Sequence, residues 1–403
     1  MRSVDEHLAR VLSVVSALSP FDLGLLDAHG CVLAEDVVAP SALPGFDSAL
    51  VAGYAVRRDD LGTLPVTLPV VGDVATASTT ALRVQPGMCV RITAGATVPS
   101  GADTVVPTEW TDGGVAHVRI DHAPDYGAWV RLAGEDVAAG ATVLPDGTYL
   151  GAAQVGLAAA VGRSRLVVHP RPRVVVLATG SELAEPGEPL GPGRVPDSNS
   201  PSLTAAAIEA GAIAYRVGIV PDEPRRLLDT IEDQLVRADL VITTGGVSAG
   251  SFEVVQDVLS RLGDVDFTAI AMEPDLPQGF GTIGPDATPV FGLPGSPAAA
   301  LVSFEVFVRP ALRTMLGAPQ VQRPRVSAIT RMPMASPPGR RSFLRVHLDV
   351  RDGAYVVEPV GSAGTHALSG LAGANALAVV PEDVEHVPPG ASVEVLVLER
   401  RGR

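Results

Sequence analysis

Three glycine-rich segments each follow an apolar run and have the composition of anion-binding turns. They are TGSEL (179–183), TTGGVSAG (243–250) and GLPGSP (292–297). Backbone N–H groups in such turns can point toward an anion, and the N-terminus of a following helix adds positive partial charge. One glycine turn after a strand is often only a tight turn. Three of them at one sheet edge predict a shared phosphate or oxyanion pocket.

Acidic and amide side chains occur in turns elsewhere in the chain. DSN (197–199) precedes a predicted helix, GED (134–136) lies in a turn, and Asp222 follows an apolar run. Carboxylate oxygens are preferred ligands of Mg²⁺ and Ca²⁺. The plainer interpretations are a helix cap for DSN and exposed loop carboxylates for the others. The residues alone leave both interpretations open.

A competing motif overlaps the second glycine segment. GVSAG (246–250) matches G-x-S-x-G, in which a serine on a sharp strand-to-helix turn is the nucleophile. Such a hydrolase also needs a histidine and an acid at later strand ends. Histidines follow Ser248, but no residue marks the acid. Serine hydrolysis through Ser248 is therefore a distant alternative.

The elements that would position the three segments alternate between strand and helix from residue 171 to residue 318. VVVLATG, DLVITTGG and TPVFGLPG predict buried strands, and EPRRLLDTIEDQLVRA predicts a helix with one apolar face. This alternation predicts a parallel sheet with helices on both faces. Ligands of such sheets bind at the carboxyl ends of the strands.

The rest of the chain has other patterns. Apolar spacing predicts a helix over 1–19, which Pro20 would end. Short strands separated by turns predict a β-domain over 42–136 and a second β-domain over 319–403. Residues 21–41 and 137–170 would form a small linker domain.

Composition limits the classes of function. The 403 residues carry a net charge of −15, and all 30 basic residues are arginine, so neither nucleic acid nor an acidic membrane is an expected partner. The two cysteines form no metal-ligand or redox motif, which predicts free thiols in a reducing compartment. No apolar run reaches about 18 residues, and the acidic N-terminus does not resemble a signal peptide. We expect a soluble cytoplasmic protein.

Ten blocks in this order resemble the molybdopterin molybdenumtransferase family, which includes MoeA and the E domain of gephyrin. The resemblance covers nearly the whole chain, and so many ordered blocks are highly specific. The matching blocks lie at 46–56, 91–103, 130–136, 179–183, 197–199, 243–250, 292–297, 304–310, 339–345 and 361–381.

The resemblance implies an architecture and a reaction. The fold would be multidomain α/β: a MogA-like parallel-sheet domain with an inserted β-domain, a small mixed domain, a C-terminal β-domain and an N-terminal helix packed on the α/β domain. The protein would be a homodimer whose site lies between the α/β domain of one subunit and the inserted domain of the other. It would insert molybdate into adenylylated molybdopterin and release AMP, with Mg²⁺ or another divalent metal. Other proteins of cofactor biosynthesis are candidate partners.

The resemblance also implies roles for individual residues. Asp136, Glu182 and Asp222 match acidic positions and would be catalytic and metal-binding residues. Arg341 and Arg345 would face the oxyanion from the C-terminal domain. The cofactor-binding pocket would be formed by Gly245, Gly246, Val247, Ser248, Pro294, Gly295, Ser296, Pro297, Asp197, Ser198 and Asn199.

Seven positions depart from the family pattern; three of them are Ser251, Ser296 and Ala299, and the other four replace family site residues. Ala52 stands where the family has a catalytic aspartate, Ala94 replaces a threonine, and Glu273 and Leu276 replace lysines. At an effective dielectric of about 20, one unit charge about 4 Å from another changes the energy by roughly 4 kcal/mol. A lysine-to-glutamate change beside a dianion should therefore weaken its binding. This pattern suggests a diverged paralogue, and a non-catalytic binding protein is the alternative.

Overall fold

A computed structural model describes residues 1–78, 81–245, 251–274, 277–361 and 368–398. Its α/β unit is a six-stranded sheet built from residues 173–293. The first four strands in spatial order are parallel, and their carboxyl ends share one edge. The order across the sheet is Ile213–Val220, Arg173–Thr179, Leu240–Gly245, Thr288–Leu293, Gln278–Ile283 and Gly263–Thr268.

Helices pack on both faces of this sheet, which confirms the predicted layering. Val174 and Val176 point into one core together with Leu203. Val175 and Leu177, which alternate with them, point into the opposite core. The strand Arg173–Thr179 is buried almost throughout for this reason, and it reads as an unbroken apolar run.

The helices have the following bounds in the structure. Within the described ranges, no helix is both long and apolar enough to cross a bilayer. The α-helices are Val4–Val14, Ala152–Ala160, Asn199–Glu209, Pro224–Leu235, Ser251–Leu262, Pro297–Ser303, Arg309–Met315 and Leu368–Ala372, with a π-helical segment at Phe304–Val308 and short 3₁₀ turns at Arg58–Leu61 and Thr108–Trp110.

The sheet carries two antiparallel strands that the sequence pattern did not predict. Gly263–Thr268 pairs with Gln278–Ile283, which pairs with Thr288–Leu293. Glycine is depleted in strands, so the run QGFGTI does not read as one. The structure explains these glycines, since a Cβ on Gly281 would lie 1.9 Å from the Asp264 carbonyl oxygen.

The N-terminal helix is shorter than predicted. A capping box starts it: the Glu6 N–H donates to Ser3 Oγ, and the Ser3 N–H donates to the Glu6 carboxylate. The helix ends at Val14 rather than near Pro20, because the chain turns extended and the Leu18 N–H donates to the Met315 carbonyl, at 2.8 Å. Its buried face contributes to the core of the α/β unit.

A five-stranded sheet forms the inserted β-unit. Gly53 is required in its strand, because a Cβ there would lie 1.9 Å from the Val106 carbonyl oxygen of the paired strand. Nearby, Ser48–Ala49 pairs with Val130–Arg131. The order in the five-stranded sheet is Thr104–Pro107, Gly53–Val56, Cys89–Ile92, Val66–Val74 and His117–Ile120.

Two further β-units complete the chain. The linker unit has the strands Phe21–Gly24, Arg165–His169 and Val32–Leu33, with Val37–Val38 paired to Thr142–Leu144. In the C-terminal unit, Arg341–Arg351 pairs with Ala376–Val380 and so closes a barrel. The strands of the C-terminal unit, in sheet order, are Met272–Glu273, Arg341–Arg351, Ala354–Pro359, Arg325–Thr330, Ser392–Val397 and Ala376–Val380, with Met334–Ala335 paired separately to His386–Val387.

Candidate functional site

A cavity of about 340 Å³ lies at the carboxyl ends of the parallel strands. It brings together residues from all three glycine-rich segments, as the sheet-edge argument predicted, and also residues of DSN. Gly246, Val247 and Ser248 lie outside the described residues. The lining comprises Ala178, Thr179, Glu182, Leu183, Val195, Pro196, Asp197, Ser198, Asn199, Thr244, Gly245, Gly295 and Pro297.

Gly245 lines this cavity, and its backbone lies in close contact with the backbone of Thr179. Its φ of +110° is one that side chains rarely allow. A Cβ at this position would lie 2.0 Å from the Thr179 carbonyl oxygen. The glycine is therefore required by the parallel pairing of Thr179 with Gly245 at the ends of their strands.

Asn199 joins two of the strand ends through its side chain. Its Nδ2 donates to Thr244 Oγ1 at 2.9 Å and to the Gly295 carbonyl at 2.8 Å. The Thr244 hydroxyl in turn donates to the Pro294 carbonyl at 3.0 Å. Asn199 Oδ1 and Thr179 Oγ1 are buried without a hydrogen-bond partner. Buried polar groups are normally paired, so these two atoms mark the cavity as a place for polar ligand atoms.

Asp197 is almost completely buried and its oxygens are already used. They accept from the N–H groups of Asn199 and Ser200, both at 3.0 Å, and from the Ser200 hydroxyl. Arg216 supplies the opposite charge at 3.0 Å. The helix-cap interpretation of DSN therefore describes what Asp197 does, while Asn199 faces the strand ends.

The three candidate metal ligands do not meet within this chain. Glu182 lines the cavity, and Asp222 accepts from the N–H of the neighbouring Ser181 at 3.0 Å. Asp222 Oδ1 is buried without a hydrogen-bond partner. Asp136 belongs to a different region, where it is exposed and lies 3.6 Å from Arg131. Among the residues that the structure describes, no three acidic, histidine or cysteine side chains form a metal cluster.

A separate cavity of about 400 Å³ lies on the inserted β-unit and contains Ala52. The Ala52 carbonyl accepts from the N–H and the hydroxyl of Thr108, both at 3.2 Å. Arg91, paired with Asp73, lines the same cavity. Ala94 is exposed and directly follows Thr93, which also lines this cavity.

A third cavity, of about 450 Å³, lies between the helix that starts at Pro297 and the C-terminal barrel. Glu273 and Arg345 both line it, and Arg340 lies 3.9 Å from Glu273. Burial lowers the pKa of the Arg345 guanidinium. Leu276 lies outside the described residues.

Arg341 does not line the cavity that contains Arg345. It forms two hydrogen bonds with Asp5, at 2.7 and 2.8 Å, and lies 3.0 Å from Glu382. The hydrogen bonds to Asp5 raise the pKa of Arg341 and lower that of Asp5. Its guanidinium therefore ties the N-terminal helix to the C-terminal barrel.

Sequence reasoning missed three residues that organise the first cavity. Thr179 and Thr244 end their strands with hydroxyl groups at the cavity, and Arg216 neutralises Asp197 from the edge strand. The paired threonines before GG were a visible signal for a polar strand end. Arg216 carried no signal, because only the fold brings it to Asp197.

Three family models match almost the whole chain. They describe the MoeA N-terminal region (domain I and II) over residues 2–162, a probable molybdopterin binding domain over 175–314, and the MoeA C-terminal region (domain IV) over 327–398. Molybdopterin molybdenumtransferase 1 of Mycobacterium tuberculosis is 42% identical over 100% of both chains. Molybdopterin molybdenumtransferase 2 of the same organism is 45% identical over 98% of this chain and 99% of its own.

A solved structure supports the same relationship. The molybdopterin biosynthesis moeA protein from Pyrococcus horikosii superposes with a TM-score of 0.82 at 30% identity, over 98% of this chain and 99% of that one. These matches support neither the serine-hydrolase alternative nor the binding-protein alternative.

Proposed function

The chain belongs to the molybdopterin molybdenumtransferase family, and we propose that it inserts molybdate into adenylylated molybdopterin and releases AMP in molybdenum cofactor biosynthesis. The observation that carries this proposal is the full-length match to transferases of that name. The cavity at the strand ends supports it, because Asn199, Thr244 and Gly245 offer the polar surface that a phosphorylated pterin needs.

Two carboxylates near this cavity fit a divalent cation. Asp222 Oδ1 is buried without a hydrogen-bond partner, and Glu182 lines the cavity beside Ser181, which hydrogen-bonds Asp222. Carboxylate oxygens are hard ligands suited to Mg²⁺. A bound cation would offset phosphate charge and polarise phosphate oxygens. Glu182 and Asp222 would hold it, and the neighbouring backbone would orient the ligand.

A homodimer would complete the site. Among the described residues of one chain, Asp136 forms no cluster with Glu182 and Asp222, so the inserted unit of a second chain would bring it to them. The surface of the inserted unit exposes large apolar side chains that a partner would cover. These are Phe46, Leu50, Trp129 and Leu132.

The departures from the family pattern at positions 52 and 273 would lower the activity. Ala52 cannot act as an acid or base. Glu273 adds a negative charge to the cavity that contains Arg345, while Arg340 at 3.9 Å offsets part of that charge. Both side chains of this pair are about a third exposed, so the interaction is worth about 1 kcal/mol or less. We therefore expect turnover, reduced relative to a family member with aspartate at position 52.

The test is molybdate-dependent cofactor formation by the purified protein with adenylylated molybdopterin and Mg²⁺. Turnover with AMP release supports the transferase. Binding of adenylylated molybdopterin without any turnover would replace it with the binding-protein alternative. The double variant Ala52→Asp with Glu273→Lys should raise turnover, and unchanged turnover in the folded variant would contradict our account of the departures.

The cytoplasmic location, the domain boundaries and contacts with other proteins of cofactor biosynthesis stay predictions from the sequence. Sedimentation of the purified chain tests the homodimer separately from activity. Mixing an Asp136→Ala chain with a Glu182→Ala chain tests the shared site. Recovery of activity in the mixture supports a site built from two chains, because one of the two sites in the mixed dimer is then intact.

A further inference from the structure

Arg216 binds three partners that lie on both sides of one surface segment. Its Nη2 is 2.7 Å from Glu185 Oε2 and 3.0 Å from Asp197 Oδ2, and its Nε donates to Ser200 Oγ at 2.6 Å. Glu185 and Asp197 flank the segment 186–196, so a single guanidinium holds both ends of that segment.

The end of this segment, Val195–Pro196, forms a wall of the cavity at the strand ends together with Leu183 before the segment and Asp197 after it. Leu183–Ala184 pairs with Val195–Pro196 in a short parallel ladder. Residues of both short strands line the cavity, next to Glu182 and Asp197. Arg216 reaches this ladder from the edge strand Ile213–Val220, whose register shifts beside it.

The charge of Arg216 matters because Asp197 is buried. The Asp197 side chain is only 1% exposed, and a buried carboxylate without a counter-charge is strongly unfavourable. Asp197 also holds the N–H groups of Asn199 and Ser200. The position of Asn199, which joins Thr244 to Gly295, therefore depends on Arg216 through Asp197.

Gly218 lies beside the contact between Arg216 and Glu185. Gly218 has a φ of +104°, and a Cβ there would lie 3.3 Å from Glu185 Oε1. A side chain at position 218 would be strained and would crowd the carboxylate that Arg216 binds. The local backbone is thus compatible with a close Arg216–Glu185 contact.

We propose that Arg216 is a positioning residue for the transferase reaction: it holds the cavity wall and Asn199 in the geometry that binds adenylylated molybdopterin. This inference rests on the proposed function. Arg216 is not among the residues that line the cavity, so it acts through Asp197 and Glu185. Its loss should weaken substrate binding more than it slows the chemical step.

The test compares Arg216→Gln with Arg173→Gln in the full-length protein. Arg173 pairs with Asp239, at 2.8 Å, at the opposite end of the sheet from the cavity, and Asp239 is 17% exposed against 1% for Asp197. In Arg216→Gln we expect the KM for adenylylated molybdopterin to rise about tenfold while kcat stays within about threefold. Arg173→Gln should leave both parameters close to those of the wild type.

A double variant separates positioning from general loss of stability. Arg216→Gln with Asp197→Asn removes both charges and keeps one side-chain oxygen for the Asn199 and Ser200 amides, so its KM should be lower than that of Arg216→Gln and close to that of Asp197→Asn alone. An Arg216→Gln protein with the same KM as Arg173→Gln would overturn the proposal, as would a double variant no better than Arg216→Gln alone.

Hydrogen exchange makes the result independent of activity. The amides of Asn199 and Ser200 should exchange about tenfold faster in Arg216→Gln and unchanged in Arg173→Gln. If the wild type neither binds nor converts adenylylated molybdopterin, the proposed function fails, and the exchange rates alone then decide whether Arg216 holds this wall. Equal exchange in both variants overturns that role.

Discussion

Thr244 is the residue at which the link between two of the strand ends can be tested most directly. Its hydroxyl accepts from Asn199 Nδ2 at 2.9 Å and donates to the Pro294 carbonyl at 3.0 Å. Thr244→Val keeps the side-chain shape and removes both hydrogen bonds. Each is worth about 1 kcal/mol, so the junction should lose about 2 kcal/mol, which corresponds to roughly a 30-fold change in a local opening equilibrium.

The neighbouring threonine provides a matched control. Thr243 is equally buried in the same strand, but its hydroxyl makes only a long bond of 3.4 Å to the Phe291 carbonyl. Thr243→Val should therefore cost less than about 1 kcal/mol. Both variants replace one buried threonine with valine, so general effects of the substitution on the strand cancel in the comparison.

The assay is hydrogen exchange of the amides of Asn199 and Ser200, which both donate to Asp197, with the KM for adenylylated molybdopterin as a second readout. These amides should exchange roughly 30-fold faster in Thr244→Val and only a few-fold faster in Thr243→Val. The KM should rise in the first variant alone. Equal protection in the two variants would refute the conclusion that the Thr244 hydroxyl joins the strand ends.

Three other perturbations have expected outcomes. Burial, with Arg2 nearby, lowers the pKa of His7 to about 4 from an ordinary value of 6.5. As the pH falls, the unfolded chain therefore binds the proton before the folded chain does, and the free energy of unfolding decreases between pH 6.5 and pH 4. At pH 5 this loss of stability is roughly 2 kcal/mol. Chemical unfolding at pH 7.5 and pH 5 should show this loss in the wild type and much less of it in His7→Met. Gly53→Ala places a Cβ 1.9 Å from the Val106 carbonyl and should destabilise the inserted β-unit by more than about 3 kcal/mol, whereas Gly62→Ala, which meets only open space, should melt like the wild type. Burial raises the pKa of the Cys89 thiol to about 12 and also raises that of Cys31, so a thiol reagent at pH 8 should label both cysteines only after unfolding; rapid labelling of the folded protein would contradict their burial.

The elements of the fold could be predicted where the local pattern is strong. The strands Arg173–Thr179, Leu240–Gly245 and Thr288–Leu293 are buried on both faces, so they appear as continuous apolar runs that end in glycine turns. The antiparallel strand Gln278–Ile283 did not stand out, because its glycines serve close contacts with Gly263–Thr268. No feature of QGFGTI by itself reports such a contact.

The candidate site shows the same division. The glycine turns were predicted to share one pocket, because parallel strands bring their carboxyl ends to one edge, and the family resemblance added DSN to that pocket. The use of Asp197 as a helix cap, the pairing of Arg341 with Asp5 and the separation of Asp136 from Glu182 depend on the paths of distant segments. The family resemblance assigned candidate roles to these residues, but it did not indicate which side chains each of them contacts.

The sequence by itself determined the layered α/β fold, the family and the three strand-end turns, because burial on both faces and tight turns leave their marks within a few consecutive residues. Only the tertiary structure decided which charges meet: Arg216 with Asp197 and Glu185, and Arg340 with Glu273. Contacts between residues far apart in the chain depend on strand register and helix packing, and those follow from the complete fold.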